Sequence, residues 1–345
     1  MFKLESLPAY EGDCLILTWG EGSIHRILID GGRSQTASKV LNYAKTHNLN
    51  RGAFELFIVT HIDRDHIEGA VELLENKDFR ELIKEIWFND RSNLNYTPEK
   101  SEFEIFGALD GERLTNLIRD HQIPKNLCFQ KKPIAVLGDT LPTVTLTGGL
   151  TLTVLSPDIQ QLEALAKPWD DTIDKAPDGW EHLGGSAPID LSFLAKSRFK
   201  SDTTKPNGSS IAIAAEYQGE HVLLTGDAHV KRLIESLRLY QLKHPQLTGF
   251  SVVKASHHGS QGNTSNELVE TLKCRNWVFS TNGNYFKHPD QEAIARIITR
   301  SPKNTNLYFN YETKFTTPWR TSENNLYKFN TYYGADGYIA VDILP

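Results

Sequence analysis

The segment Phe54–Leu74, FELFIVTHIDRDHIEGAVELL, constrains the fold of this 345-residue chain more than any other. Its apolar run Leu56–Val59 stops abruptly at Thr60, and apolar residues then recur at helical spacing to the end of the segment. This pattern predicts a buried strand, a tight loop and a helix. Because both flanks are apolar, each end of the loop is anchored in a core.

The loop between the predicted strand and helix contains four residues of the types that bind metal ions: His61, Asp63, Asp65 and His66. A charged group at the end of a buried strand costs on the order of several kcal/mol unless a cation or a partner offsets it. The alternative is a solvated turn in which the aspartates cap the helix. The burial argument favours a metal site.

Charge and cysteine content exclude several classes of protein. The formal net charge is −6, so bulk charge does not favour nucleic acid, and a polyanion would need a local basic groove. The three cysteines are far apart and form no CxxC pair, which argues against a disulfide framework and a thiolate zinc site. Cys14 and Cys128 lie in apolar runs and are predicted to be buried thiols.

The first residues, MFKLESLPAYEGD, lack the basic and then apolar pattern of a signal peptide. No apolar stretch of the sequence is long enough to span a bilayer. We therefore expect a cytoplasmic protein that does not enter a membrane.

Apolar runs bounded by turn residues predict strands in both halves of the chain, with helical periodicity between them. The predicted strands are Phe2–Leu7, Cys14–Trp19, Ser23–Ile29, Glu85–Phe88, a set within Ile134–Leu155, Ser209–Tyr217, His221–Thr225, Gly249–Ala255, Asn276–Thr281, Asn306–Asn310 and Tyr338–Leu344. Further helices are predicted at Ser38–His47, at Phe103–Asp120, after Asp227 through Tyr240, and at Asp290–Arg300. Lys167–Asn207 has poor periodicity and is predicted to be a long loop or a small insertion.

Several predicted strands end in aspartate or histidine: Asp30, the loop from His61 to His66, Asp227, and the pair His257 and His258. Strands of one sheet that end together place their last residues at one edge, so these groups can converge. The set contains imidazoles and carboxylates without thiolate, which suits zinc, manganese or ferrous iron. A carboxylate between two imidazole-rich clusters can bridge two ions, and Asp227 is the best candidate for that position. Two ions about 3.5–4 Å apart generate a hydroxide from water and hold both ends of an in-line displacement at phosphorus.

The sequence His61-Ile62-Asp63-Arg64-Asp65-His66 resembles the His-x-His-x-Asp-His hallmark of the metallo-β-lactamase fold superfamily. Asp63 replaces the second histidine, as is usual in the branch related to the competence protein ComEC. Further segments resemble that branch in the same order, between about residue 10 and residue 310: Asp30-Gly31-Gly32, Asn207-Gly208-Ser209-Ser210, Leu223-Leu224-Thr225-Gly226-Asp227, Lys254-Ala255-Ser256-His257-His258-Gly259-Ser260, and Asn282-Gly283-Asn284-Tyr285-Phe286-Lys287-His288-Pro289. Five matches in the right order are far more specific than any one of them.

The resemblance implies an αββα sandwich, an α/β fold in which two mixed sheets lie face to face with helices outside. We expect one domain over residues 1–345, with an insertion at about 90–205. The resemblance also implies two divalent metal ions, zinc or manganese. His61 and Asp63 would bind the first ion, Asp65 and His66 would bind the second, and Asp227 would bridge.

The resemblance implies further roles for residues near the metals. One of His257 and His258 would bind the second ion, and we favour His258; the other would contact the substrate or orient a ligand. Asp30 would hold an imidazole N–H.

Asn207 and Ser210 fall where other members of the superfamily place a third-motif histidine, and this chain has no obvious histidine there. The first metal site is therefore poorer in histidine, which tilts the metal from zinc toward manganese.

His288 would protonate a leaving group or bind a phosphate oxygen, unless it is only a residue at a helix N-terminus before Pro289. Lys254 would contact a phosphate or lie at the surface. His229 is expected to face outward in the first turn of its helix.

The expected function is a metal-dependent hydrolase, most specifically a phosphodiesterase or nuclease in which Asp65 orients the nucleophile. The substrate would be single-stranded nucleic acid or a nucleotide. The basic or aromatic residues that would line a groove are Arg198, Lys200, Lys205, Lys314, Trp319 and Arg320. Alternatives are a hydrolase of a small phosphoester, lactone or thioester, and a metal-binding, non-enzymatic subunit of a defence-type system. The last alternative implies an operon-encoded protein partner or a homo-oligomer.

Overall fold

The computed structural model describes residues 1–91, 106–166, 189–320 and 327–345 of the protein. The strands in these ranges are β1 (Phe2–Ser6), β2 (Leu15–Trp19), β3 (His25–Ile29), β4 (Leu56–Ile58), β5 (Ile86–Trp87), β6 (Thr143–Thr145), β7 (Thr151–Ser156), β8 (Ala212–Tyr217), β9 (Glu220–Leu224), β10 (Val252–Lys254), β11 (Asn276–Phe279), β12 (Thr305–Phe309), β13 (Phe329–Tyr333) and β14 (Ile339–Leu344). The α-helices are α1 (Thr36–Thr46), α2 (Arg64–Glu75), α3 (Lys77–Leu82), α4 (Phe106–Asp120), α5 (Ile159–Ala166), α6 (Leu191–Ala195), α7 (Lys205–Gly208), α8 (Val230–Lys243), α9 (Asn266–Leu272) and α10 (Gln291–Arg300).

The strands form two mixed sheets. One has six strands in the order β14-β1-β2-β3-β4-β5, and the other has eight in the order β13-β12-β11-β10-β9-β8-β7-β6. In the first sheet β3, β4 and β5 are parallel, and in the second β9 through β13 are parallel. The remaining pairs are antiparallel. The prediction of two mixed sheets in an α/β fold is confirmed.

The two sheets pack face to face because alternate residues of each strand are apolar on the inner side. In β4, for example, Leu56 and Ile58 join the core that both sheets share, whereas Phe57 points to the outer face. On that outer face Phe57 packs in a second core with residues of α1 and α2, such as Val40 and Ile67. Full burial of each such side chain contributes about 1.5–3 kcal/mol. The sandwich thus holds the parallel strands rigidly at their carboxyl ends.

The predicted elements differ from the observed ones mainly at their ends. Strand β13 was not predicted, because its sequence FNTYY alternates half-buried and exposed residues and carries no apolar run. Residues 134–142 were expected to be part of a strand set, but outside the named strands they form only isolated bridges. Cys14 is buried as predicted; Cys128 is exposed, because it lies in a surface turn.

The predicted insertion at about 90–205 contains elements that join the rest of the fold. Strands β6 and β7 extend the eight-stranded sheet, and α4 packs against α2. The ranges 92–105 and 167–188 lie outside the described residues, and with them much of the predicted long loop. The single domain with an insertion stays a prediction. None of the helices in the described ranges is long and apolar enough to cross a membrane.

The loop after β3 packs directly on α2, and glycine makes this close approach feasible. A Cβ atom on Gly69 would lie 1.9 Å from the Gly31 carbonyl oxygen, and one on Gly31 would lie 2.1 Å from the Ala70 nitrogen. The backbones are also hydrogen-bonded, from Gly31 N to His66 O at 2.9 Å and from Gly69 N to Gly32 O at 2.9 Å. This contact sets the position of Asp30 relative to the first turn of α2.

Replacing Gly69 with alanine separates helix propensity from this close approach. Propensity alone predicts that Gly69→Ala stabilises the protein by up to about 1 kcal/mol. Because the new methyl group meets backbone rather than a flexible side chain, we expect the free energy of unfolding to fall by about 1–3 kcal/mol. Urea denaturation followed by circular dichroism measures the change, and a gain in stability would contradict the packing described above.

Candidate metal centre

The central loop leaves the carboxyl end of β4 and enters α2 directly. Asp63 is the N-cap residue of α2, and Asp65 and His66 lie in the first turn. His61, Asp65 and His66 are buried, whereas the Asp63 side chain is 28% exposed. The sequence prediction of a buried strand, a tight loop and a helix is confirmed, and the buried charges of the loop require partners.

The Asp227 carboxylate lies in the middle of the histidines. Its Oδ2 atom is 3.8 Å from His61 Nε2, 3.4 Å from His66 Nε2, 3.8 Å from His257 Nε2 and 3.7 Å from His258 Nε2. Asp227 is itself 2% exposed. The four imidazoles thus converge on one buried carboxylate oxygen, although they come from different sheets.

Asp65 also lies beside these histidines. We call the side chains of Asp65, His66, Asp227 and His258 the Asp65 cluster. His66 Nε2 lies 3.3 Å from His258 Nε2, and Asp65 Oδ2 lies 3.3 Å from His258 Nε2 and 4.0 Å from His66 Nε2. Two nitrogen or oxygen ligands of one tetrahedral zinc ion are about 3.4 Å apart, since each lies at about 2.0–2.2 Å from the metal. The separations observed therefore fit groups that share one divalent ion.

A second set of side chains, which we call the His61 cluster, contains His61 and Asp63 and shares Asp227 with the Asp65 cluster. His61 Nε2 lies 3.5 Å from Asp63 Oδ2 and makes no hydrogen bond within the described part of the chain. A buried imidazole nitrogen without a hydrogen bond is costly in free energy, and a metal ion would remove that cost. This orphaned atom is a second observation that fits a metal centre.

Three of the histidines use Nδ1 for a supporting hydrogen bond. Asp30 Oδ2 lies 2.8 Å from His66 Nδ1 and also accepts from Thr60 Oγ1 at 2.8 Å. Thr60 Oγ1 lies 2.9 Å from His61 Nδ1, and the Ser280 carbonyl oxygen lies 2.8 Å from His258 Nδ1. A proton on Nδ1 leaves the Nε2 lone pair free, which is the usual arrangement of histidine ligands.

Asp227 is positioned from its backbone and from behind its side chain. Ser210 Oγ accepts a hydrogen bond from Asp227 N at 3.0 Å. Lys254 Nζ lies 3.7 Å from Asp227 Oδ1 and donates to the Gly226 carbonyl oxygen at 3.2 Å. Since Lys254 faces Oδ1, the other oxygen, Oδ2, faces the imidazoles.

Lys254 does not reach the surface. It is 0% exposed and forms an ion pair with Asp13, which is 1% exposed. The expectation that Lys254 contacts a phosphate or lies at the surface is therefore wrong, because the strand turns this side chain inward, under the site. Asp13 Oδ1 also lies 3.4 Å from His258 Nδ1.

Asp13 was missed by the sequence analysis. It lies in the turn before β2, where aspartate after Gly12 is an ordinary turn residue. Its carboxylate lies within 4.8 Å of ligand atoms of His66, Asp227 and His258, a spacing at which side chains can hold a metal ion. Because its carboxylate faces Lys254 Nζ and the Nδ1 side of His258, it supports the centre from behind.

The carboxylates change the proton affinity of the imidazoles. Burial lowers the pKa of His66 and of His258, but the nearby carboxylates, chiefly Asp227, outweigh burial and raise both values. For His257 the same opposition, with Asp227 and Asp202 as the carboxylates, raises the pKa to about 9. Burial raises the pKa of Asp65, yet His66 and His258 bring it below its usual value. The cluster therefore favours positive charge, which protons or metal ions supply.

His288 lies beside this cluster rather than within it. Its ring centroid is 5.2 Å from that of His257, and its Nδ1 atom is 3.4 Å from Asp290 Oδ1. Burial lowers the pKa of His288, although Asp290 opposes the change. Next to it, Phe286 stacks on His288 at 6.1 Å, and Tyr285 is 67% exposed at the rim.

Other residues singled out in the sequence lie farther from the centre. Trp319 is 1% exposed and lines, with Arg320 and Phe329, a surface cavity of about 330 Å³, and the Arg320 guanidinium stacks on Tyr333 at 4.4 Å. His229 Nε2 lies 2.8 Å from the Thr204 carbonyl oxygen and so engages the backbone of a neighbouring loop. Arg198, Lys200 and Lys205 precede or begin α7.

Comparisons with known proteins agree with these observations at the level of distant similarity. No protein-family model matches the chain. ComE operon protein 3 of Bacillus subtilis (strain 168) is 26% identical over 146 residues, which cover 39% of this chain and 18% of that protein. The match therefore spans less than a fifth of the relative's length.

Solved structures with distant likeness include three proteins. The metallo-beta-lactamase fold protein YhfI from Bacillus subtilis is 12% identical, with 99% of both chains covered and a TM-score of 0.43. Human tRNase Z, short form, is 8% identical, with 99% of this chain and 100% of that chain covered and a TM-score of 0.42. Metallo-beta-lactamase SMB-1 is 13% identical, with 86% and 95% covered and a TM-score of 0.32.

The fold and the site together define the class of the protein. Two mixed sheets pack face to face, and a His-x-Asp-x-Asp-His loop after a buried strand meets an aspartate and a histidine from the other sheet. This is the metallo-β-lactamase fold with a buried cluster of histidine and aspartate side chains suited to metal. The resemblance to the ComEC-related branch is also confirmed, as a distant sequence similarity to ComE operon protein 3.

Replacing Asp30 with asparagine tests its support of His66. Asparagine keeps the volume and tolerates the left-handed backbone of this residue, whose φ is 58°. Because the charged acceptor of the His66 Nδ1 proton is lost, we expect metal affinity to fall by about 10–100-fold. Competition with a chromophoric chelator measures the affinity. Asp139→Asn, at an exposed position, is the matched control and should leave affinity unchanged.

Replacing Lys254 with methionine tests the buried ion pair. Lys254→Met leaves the Asp13 charge buried without its partner, so we expect the free energy of unfolding to fall by about 3–5 kcal/mol in chemical denaturation. Adding Asp13→Asn should recover part of that loss, since the amide is neutral. In the control Lys84→Met, the lysine is 53% exposed and its amine lies 3.7 Å from Glu55, so a loss of about 0–1 kcal/mol is expected. Equal losses at the two positions would contradict the assignment.

Proposed function

We propose that this protein is a metal-dependent hydrolase of phosphodiester bonds. The observation that carries the proposal is the convergence of four imidazole Nε2 atoms on the single Asp227 Oδ2 atom, at 3.4–3.8 Å. A structural zinc site is closed by four protein ligands, whereas here six or more candidate ligands surround one carboxylate. Such a set supports two ions with Asp227 between them.

The ligand assignment within the proposal follows the clusters described above. His61 and Asp63 would hold the first ion, Asp65, His66 and His258 would hold the second, and Asp227 would serve both. Metal ions bound here would lower the pKa of a water molecule and neutralise charge at phosphorus. The donor set contains carboxylates and imidazoles without thiolate, and it accepts zinc or manganese.

Other side chains would orient the nucleophile, contact the substrate and position Asp227. Asp65 has its Oδ2 atom 3.3 Å from His258 Nε2 and would orient the nucleophile through its second oxygen. His288 lies at the edge of the cluster, where burial lowers its pKa, and would protonate a leaving group or contact a phosphate oxygen. Lys254 and Asp13 would hold Asp227 in place from behind.

Two features support a phosphodiester over other substrates. A site for two ions holds both the attacking and the leaving oxygen of an in-line displacement, which suits phosphodiesters. The distant similarity to ComE operon protein 3 adds to the motif resemblance to the ComEC-related branch, and the choice of a phosphodiester rests on analogy with that branch. The fold also hosts lactam, lactone and thioester hydrolysis, so the substrate must be tested directly.

The test uses metal-stripped protein that is resupplied with manganese or zinc. We expect hydrolysis of bis-p-nitrophenyl phosphate and of labelled single-stranded DNA. Because metal ions supply several kcal/mol of transition-state stabilisation, Asp227→Asn should reduce kcat/KM by about a thousandfold or more. The exposed Asp139→Asn should retain full activity.

The outcomes separate the substrate classes. Cleavage of both substrates supports a nuclease-type phosphodiesterase, and cleavage of the small ester alone supports a small phosphoester as substrate. Hydrolysis of lactone or thioester substrates without any phosphodiester cleavage would overturn the proposal. Absence of all these activities in the metal-loaded protein would favour a non-enzymatic subunit with a protein partner.

A further inference from the structure

The His61 cluster is one imidazole short of the Asp65 cluster. In the sequence, the position where a third-motif histidine is expected holds Asn207, which is buried within α7. The His61 cluster therefore has only His61 and Asp63 besides the shared Asp227. The structure points to a histidine from another element that takes this place.

His257 shares the orientation of the other three histidines. Its Nε2 atom lies 3.8 Å from Asp227 Oδ2, the same separation as for His61 Nε2. Its Nδ1 atom, like theirs, has a supporting oxygen, since Asn263 Oδ1 lies at 3.1 Å. The side chain thus presents Nε2 to the carboxylate that both clusters share.

The backbone at His257 is organised to bring two neighbouring rings to one oxygen. His257 and His258 both adopt left-handed conformations, with φ of 48° and 54°. For residues other than glycine this costs about 1–2 kcal/mol each, so the surrounding structure must hold it. Two hydrogen bonds do so, from His257 N to Gly226 O at 3.1 Å and from Ser260 N to His257 O at 2.8 Å. Consecutive residues in an extended strand would point to opposite sides instead.

The polar groups behind His257 determine which nitrogen carries the proton. Asn263 Nδ2 lies 3.1 Å from the Asp227 carbonyl oxygen and 3.2 Å from Asp202 Oδ2, and these acceptors fix the orientation of the amide. Asn263 Oδ1 is therefore the acceptor that faces His257 Nδ1. Asp202 Oδ2, 3.6 Å from the same nitrogen, adds negative charge on that side. Since Nδ1 keeps its proton for Asn263, Nε2 is the ring nitrogen that a metal ion beside Asp227 would bind in place of a proton.

Asn207 acts on His257 instead of facing the centre as a ligand. Its Nδ2 atom donates to Asp202 Oδ2 at 2.7 Å and lies 3.2 Å from His257 Nδ1. Because the Nδ1 proton of His257 goes to Asn263 Oδ1, the Asn207 amide makes no hydrogen bond with that nitrogen; it holds instead the Asp202 carboxylate, whose Oδ2 atom lies 3.6 Å from His257 Nδ1. The side chain at the third-motif position thus supports a histidine that comes from the loop after β10.

We propose that His257 is the third protein ligand of the first metal ion, together with His61, Asp63 and the bridging Asp227, and that Asn207, Asp202 and Asn263 are its positioning residues. His257 then replaces the histidine that the sequence lacks at the third motif. The proposal rests on the two-metal site of the proposed function and does not depend on its substrate. It differs from the expectation that the histidine paired with His258 contacts substrate.

The experiment counts metal ions in each variant after reconstitution with manganese. Metal-stripped wild-type protein should bind two Mn²⁺ per chain, measured by elemental analysis and titration, and its low-temperature electron paramagnetic resonance spectrum should show spin coupling. His257→Ala should retain one tightly bound ion and give the six-line signal of isolated Mn²⁺. Loss of a supporting hydrogen bond lowers metal affinity by about 10–100-fold. Because His257→Ala removes a ligand itself, the affinity for the lost ion should fall further than that.

Matched variants place the loss in one cluster. His258→Ala should also retain one ion, and the double variant of His257 and His258 should retain none with high affinity. His229→Ala removes a histidine whose Nε2 atom engages a backbone carbonyl, so it should retain two coupled ions. Asn207→Leu should weaken only the ion that His257→Ala loses, by about 10–100-fold. Circular dichroism and thermal unfolding confirm that each variant is folded.

Two results would overturn the inference, and they are distinguishable. If His257→Ala keeps two spin-coupled ions with wild-type affinity while KM for substrate rises, His257 is a substrate contact and the two-metal site stands. If wild-type protein binds fewer than two ions of manganese and of zinc, the two-metal site of the proposed function fails together with this inference. If His257→Ala is unfolded, the Asn207→Leu titration decides whether His257 is a metal ligand or a substrate contact. Weaker binding of one ion supports the ligand, and wild-type affinity for both ions supports the substrate contact.

Discussion

The arrangement of the centre depends on the buried carboxylate of Asp227. One of its oxygens faces the Lys254 ammonium, and the other faces four imidazole nitrogens at 3.4–3.8 Å. A carboxylate with 2% exposure is unfavourable in isolation, and here the Lys254 ammonium and the four imidazoles offset its charge, although the Asp65 carboxylate is also near. The Lys254–Asp13 pair lies beneath it, so even the supporting charge is balanced.

The sandwich places these groups because its parallel strands end at the same edge. β3 and β4 of one sheet are followed by Asp30 and His61, while β9 and β10 of the other are followed by Asp227 and His257. Ligand sites in open α/β sheets form at the carboxyl ends of strands for the same geometric reason. Glycine contacts between the β3 loop and α2 then set the distance between Asp30 and His66.

Much of the site could be predicted from spacing and residue type. The loop from His61 to His66 follows an apolar run, and Asp30 and Asp227 stand at strand ends beside glycine, which are local signals. Asp13 and the direction of Lys254 could not be predicted, because both depend on which face of a strand or turn meets the opposite sheet. Cys128 was misjudged for the same reason, because its thiol follows an apolar residue in the sequence and is nevertheless exposed.

The sequence by itself determined the strand–loop–helix unit and the choice of imidazole and carboxylate over thiolate, since these follow from local hydrophobic periodicity and residue chemistry; the two-sheet class came from the order of motifs that resemble the metallo-β-lactamase fold superfamily. Only the tertiary structure decided which nitrogen of each histidine faces the centre, that Lys254 is an internal counter-ion, and that His257 lies as close to Asp227 as His61 does. The physical reason is that side-chain direction depends on packing and hydrogen bonds between residues more than two hundred positions apart, such as Ser280 and Gly12. Local sequence carries no record of those contacts.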